Sequence, residues 1–173
     1  MKILKSFKCA AKGILYTIKN EKNMRIHTVI SFYVLLFSCF FHLSFVKYAV
    51  LFLTIGSVLT LEMFNTSIEA IIDICSKEYN SVAKIAKDIA AGAVMISSAF
   101  AVVIGLMFFS DFYVYISMWT FFSYNKSLFI LLILSILLSV IYIRKGPAEI
   151  KNKIFSTIKW LKNTLNKKIN FGR

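Results

Sequence analysis

Apolar residues in this chain gather in long blocks, and the charged residues between them are mostly basic. The blocks cover about 26–45, 46–73, 82–109 and 127–143. Each is near the ~20 residues a helix needs to cross the hydrocarbon core of a bilayer. The second is apolar as far as Leu61, and its helical pattern then continues to Asp73. The third is uncharged from Ile89 to Phe109, and the fourth is uncharged throughout. Four spanning helices are expected.

The two ends of the chain follow another pattern. Over 1–25, Ile3, Leu4, Phe7, Ala11, Ile14, Leu15 and Ile18 recur at helical spacing, with Lys2, Lys5, Lys8, Lys12 and Lys19 among them. No unbroken apolar run forms, so this is not a signal peptide. It predicts an amphipathic helix lying in the membrane interface. After Arg144, Ile150, Ile154, Ile158, Leu161, Leu165 and Ile169 recur every three or four residues in a basic tail. The tail predicts a second surface helix that binds lipid, broken from the fourth span near Gly146-Pro147.

Composition supports a membrane reading. The 173 residues are 58% hydrophobic, with a mean hydropathy of +0.73. The net charge of +13 would suggest nucleic acid in a soluble domain, but here the basic residues flank apolar spans. Anionic lipid is the expected partner, and nucleic acid is not. Lys and Arg also set the orientation. With the N-terminus inside, seven precede the first span, three lie between spans two and three, and nine follow span four, nineteen of 21 in all. Lys47 and Lys126 remain outside. Both termini are therefore expected in the cytosol. Cys9, Cys39 and Cys75 form no CxxC pair, and His27 and His42 are isolated, so neither a disulfide framework nor a zinc site is indicated.

The acidic residues change the picture most. Six of eight lie between Glu21 and Asp88, where the first three spans meet the cytosol. In "LEMFNTSIEAIID" (61–73), Asn65, Glu69 and Asp73 lie within about 60°, 20° and 20° of Glu62 around a helix, at about 100° per residue. The stripe rises ~16 Å, from the hydrocarbon edge at Glu62 to the cytosol at Asp73. Like charges so spaced repel, and a carboxylate at the membrane boundary is costly to ionise. A cation or a proton relieves that cost. Magnesium suits such a site, since it takes one or two carboxylates together with phosphate oxygens and water. At the start of the third span, Lys84, Lys87 and Asp88 share a face, where Lys can grip phosphate. The run Ala90-Ala91-Gly92-Ala93 is expected to admit a neighbouring helix closely. P-loop, GxGxxG, protein-kinase, GxSxG and HExxH motifs are all missing.

The residues "NEKNMRIH" (20–27), "LEMFNTSIEAIID" (61–73), "SKEY" (76–79) and "AKDIAAGAV" (86–94) resemble, in that order, the bacterial diacylglycerol kinase / undecaprenol kinase family. The resemblance covers about 1–110. It implies an all-α integral-membrane lipid kinase of the bacterial cytoplasmic membrane, working as a homotrimer. Its core would be the surface helix and three spans, with ATP as phosphoryl donor and Mg2+ as cofactor. It implies Glu62 as the catalytic base for a lipid hydroxyl, and Glu21 and Glu69 as metal ligands that also contact the nucleotide. Glu78, Lys87 and Asp88 would bind nucleotide, while Asn65 and Asp73 would shape the site. "NMRIH" is more similar to the undecaprenol branch than to the diacylglycerol branch. Residues 111–173, with the fourth span and the basic tail, lie outside the family core and are expected to be peripheral. The competing reading is a cation channel or transporter with the acidic stripe lining its pore. Glu78, Lys87 and Asp88 argue against it, because a pore does not need them.

Overall fold

The helices form where the apolar blocks predict them, but two of their ends fall elsewhere. A computed structural model describes residues 2–75 and 80–171. Among these the chain is all-helical: α1 (Lys2–Asn20), α2 (Lys22–Ser38), α3 (Phe45–Cys75), α4 (Ser81–Phe108), α5 (Phe112–Tyr124) and α6 (Lys126–Phe171). Three helical segments are long and apolar enough to cross a membrane: Phe45–Cys75, Ser81–Phe108 and Lys126–Pro147.

The first expected span is shorter than the sequence pattern. α2 has 17 residues and ends at Ser38, not near Phe45. The Ser38 hydroxyl donates to Leu35 O at 2.7 Å. Phe40 N and Phe41 N donate to the carbonyls three residues back, at 3.0 Å each, which tightens the chain into a turn. His42 then has φ 44. Apolar composition runs through this turn, so hydropathy alone could not reveal it.

The first helix also ends early. The amphipathic segment was expected to reach 25, but α1 stops at Asn20 and Glu21 takes an extended conformation (φ −96, ψ 121). Lys22–Arg25 belong to α2. The buried Arg25 makes this break possible. Its Nη1 donates to Lys19 O at 2.9 Å and Ile18 O at 3.3 Å, satisfying carbonyls at the end of α1. Its Nε donates to Ile143 O in α6 at 3.2 Å. One guanidinium thus joins three helices.

α6 bends where expected. Gly146 has φ 70 and ψ 162, a conformation open to glycine and strained for any other residue. Pro147 follows with no N–H to give. A Cβ on Gly146 would also lie 3.3 Å from Arg25 Nη1. The first half of α6 packs along α2, where Tyr33 Oη is 3.0 Å from Ser135 Oγ and 3.1 Å from Ser139 Oγ. The extension is therefore docked on the family core.

α5 has no counterpart among the expected elements. Asp111 caps it by accepting from Tyr113 N at 2.9 Å. Its aromatic residues meet the turn after α2: Phe40 stacks edge-on with Phe121, and Phe41 with Tyr115.

α3 and α4 form the most extensive helix pair, with Leu51, Val58, Ala90 and Val94 among the few buried apolar residues. Of the small-residue run, Ala90 is buried. A Cβ on Gly92 would meet nothing within 4 Å, so no neighbouring helix crowds that position. α2 also packs on α3. The acidic stripe of α3 thereby becomes the floor between α2 and α4.

Candidate functional site: a buried carboxylate between three helices

Glu62 is 1% exposed, although it carries a carboxylate within an apolar helix. Helical periodicity turns it, Asn65 and Thr66 inward, and all three are buried. Thr66 Oγ1 donates back to Glu62 O at 3.0 Å, which holds the local backbone. One turn on, Asn65 Nδ2 donates to Glu69 Oε1 at 3.0 Å. The Asn65 Oδ1 atom is buried and has no protein partner. An orphaned buried carbonyl oxygen of this kind calls for a ligand, because leaving it unpaired costs roughly 1–3 kcal/mol.

Glu21 joins the group from the α1–α2 elbow. Together with Glu69 it lies close enough to act electrostatically on Glu62. Glu21, distant in the chain, thus forms one negative pole with Glu62 and Glu69 of α3. Further along α3, the exposed Asp73 forms an ion pair with Lys87 of α4, which ties the two helix ends together. Asp88 is exposed beside it. Glu78, expected at the nucleotide, lies outside the described residues.

A cavity of about 330 Å3 opens at this pole. Asn23, Ile26 and His27 of α2 line it, with Glu62 and Asn65 of α3 below and Ser98 on the α4 side. Ser98 Oγ is also buried without a partner. No motif in the sequence marks Ser98. It lies eleven residues beyond Lys87 on α4, three helical turns deeper, a spacing that would have placed it on the same side of the helix.

Among the described residues, no group of three or more His, Cys, Asp or Glu is arranged to hold a metal by itself. The donor set is nonetheless one of hard oxygens: the carboxylates of Glu21 and Glu69 and the unpaired Asn65 Oδ1. It fits a cation that takes few protein ligands and completes its shell with phosphate oxygens and water, as magnesium does.

The fold and the site together define a polytopic α-helical membrane protein that carries a buried carboxylate, amide and acidic elbow at one end of its core. A family model described as prokaryotic diacylglycerol kinase matches residues 8–109, and the chain belongs to that family of lipid kinases. It is 36% identical over 108 residues to an undecaprenol kinase of Bacillus subtilis (strain 168), covering 62% of this chain and 88% of that protein. It is 39% identical over 104 residues to a diacylglycerol kinase of Synechocystis sp. (strain ATCC 27184 / PCC 6803 / Kazusa). That match covers 60% of this chain and 59% of the relative. The matched region ends with α4, so α5 and α6 lie beyond it.

Proposed function

We propose that this protein transfers the γ-phosphoryl group of ATP to the hydroxyl of a membrane lipid, with undecaprenol preferred to diacylglycerol. The observation that carries the reading is Glu62, a carboxylate 1% exposed that lines a cavity with Asn65 on an apolar helix. A lipid hydroxyl lies at that depth.

Glu62 accepts the proton of the lipid hydroxyl. The lipid oxygen bonds to the γ-phosphorus, the bond to the β-bridging oxygen breaks, and ADP leaves. Asn65 holds Glu69 through its amide and offers Oδ1 to the incoming groups. Glu21 and Glu69 hold magnesium, which when bound neutralises charge on the phosphate oxygens. Glu78, Lys87 and Asp88 contact the nucleotide, and Asp73 keeps Lys87 on the site side of α4 through their ion pair. A general base of this kind is worth about 10²–10⁴ in rate.

The protein works as a homotrimer in the bacterial cytoplasmic membrane, with both termini in the cytosol. α1 lies in the interface, the first half of α6 is a fourth span, and the basic tail binds anionic lipid. The branch preference rests on "NMRIH", whose Asn23, Ile26 and His27 line the cavity. A cation pathway along the acidic stripe is not favoured, since the chain belongs to a kinase family.

The test is transfer of labelled phosphate from ATP to undecaprenol and to diacylglycerol, compared side by side with purified protein. Transfer to neither would sink the reading. For the metal ligands, Glu21→Gln and Glu69→Gln should each raise the magnesium concentration needed for half-maximal rate, because each removes a hard oxygen donor. A loss that added magnesium does not relieve, with nucleotide binding unchanged, would count against a ligand role for both.

A further inference from the structure

The site cavity does not end at Ser98. A second cavity of about 290 Å3 begins at His27 and Ser98, which line both, and runs past Ala101 and Gly105 to Phe109. A third, of about 490 Å3, shares Ile30, Val34 and Phe109 with the second. It continues along α2 to Phe37, passes Phe41 in the turn, and ends against Tyr115 and Met118 of α5. The polar and apolar parts are segregated. Asn65 Oδ1 and Ser98 Oγ are the buried side-chain polar atoms without a partner among the described residues, and both line the first cavity. The walls beyond are almost wholly aliphatic and aromatic, and the exposed Ile30 and Val102 leave the groove open towards the bilayer.

We infer that the three cavities form one track for a single lipid chain longer than a leaflet is deep, and that α5 gauges its far end. The substrate class is a long single-chain polyprenol. This rests on the kinase reading and goes beyond it, because it gives residues outside the family core a part in substrate choice.

Length is the deciding quantity. The cavities follow α2 from Asn23 to Phe37, about 21 Å at 1.5 Å per residue, and reach on to Phe41 in the turn after it. The hydrocarbon core of a bilayer is about 30 Å thick, so one leaflet is about 15 Å deep. An acyl chain of diacylglycerol, rooted by its headgroup at the inner surface, ends near the midplane and leaves the outer part of the track unfilled. A long polyprenyl chain rooted at Glu62 crosses the midplane and fills it. The far end is built to be firm: Tyr115 Oη donates to Phe109 O at 2.6 Å, and Phe41 packs edge-on against both rings.

The experiment uses the full chain in lipid vesicles. Phosphate transfer from ATP is measured with farnesol, with polyprenols of increasing length up to undecaprenol, and with diacylglycerol. The wild type should turn over long polyprenols several-fold faster than farnesol. Gly105→Leu fills the middle of the track, and its new side chain has room, since a Cβ there meets nothing within 4 Å. Met118→Trp fills the far end. Both variants should lose the long-chain advantage, with Gly105→Leu cutting in at shorter chains than Met118→Trp, which should keep the farnesol rate. A retained farnesol rate also shows that the variant is folded. If Gly105→Leu leaves the length profile unchanged, or lowers farnesol, polyprenols and diacylglycerol alike, the track is wrong. The second readout needs no activity: a polyprenol whose extended length matches the track, carrying a photoreactive terminal group, should label α5 near Met118. Phosphate transfer without that labelling overturns the track alone. Labelling without transfer to any lipid alcohol overturns the kinase reading and leaves the track standing.

Discussion

Glu62→Gln should lower phosphoryl transfer by about 10²–10⁴, the range a lost general base typically costs, and leave the fold intact. Glutamine has the shape of glutamate but cannot take up the hydroxyl proton at neutral pH. Its burial should be tolerated, because the substitution removes a buried charge that faces Glu21 and Glu69. Melting in detergent should therefore be unchanged or shifted upward. The loss should appear in kcat at saturating lipid and ATP, with magnesium dependence close to that of the wild type. That pattern separates Glu62 from the proposed metal ligands Glu21 and Glu69, whose variants should respond to added magnesium. Near-normal turnover in Glu62→Gln would remove this residue as the base.

Arg25→Leu should have the largest effect on stability. Arg25 is 7% exposed, and its guanidinium satisfies Ile18 O, Lys19 O and Ile143 O. Hydrogen bonds from a charged group are worth about 1.5–3 kcal/mol each, and leucine leaves the three carbonyls without this donor. A loss of several kcal/mol and a large drop in melting temperature follow. Arg25→Lys should recover only part of it. An ammonium is a point donor and cannot reach carbonyls of α1 and α6 with the planar fork of arginine. Activity should fall as well, because the same contacts fix the elbow that presents Glu21. Thermal melts of Arg25→Leu and Arg25→Lys, read with kinase assays at low temperature, test both parts. A melting temperature near wild type in Arg25→Leu would show that the three-helix joint contributes little. The joint also bears on the extension. The sequence alone makes 111–173 peripheral, yet α6 meets α2 through Tyr33 and Arg25, and α5 covers the turn after α2.

Much of the architecture was legible before any coordinates. Periodicity sets which residues of α3 face inward, so Glu62 and Asn65 could be put on one stripe from spacing alone. Hydropathy marked Phe45–Cys75, Ser81–Phe108 and the first half of α6, because an apolar run of that length has few other uses. Gly146-Pro147 announced its break through local backbone chemistry. These are properties of neighbouring residues, and the chain carries them wherever it folds. Tertiary structure decided the rest. Only packing could end α1 at Asn20, since the donor for its last carbonyls comes from Arg25 of the next helix. Only packing could bring Glu21 to the pole of Glu62 and Glu69, 41 residues from the first of them. Ser98 became part of the site because residues of α2, α3 and α4 line one cavity. No local pattern encodes such a meeting of distant helices; it depends on which faces bury one another, and that is a property of the whole chain.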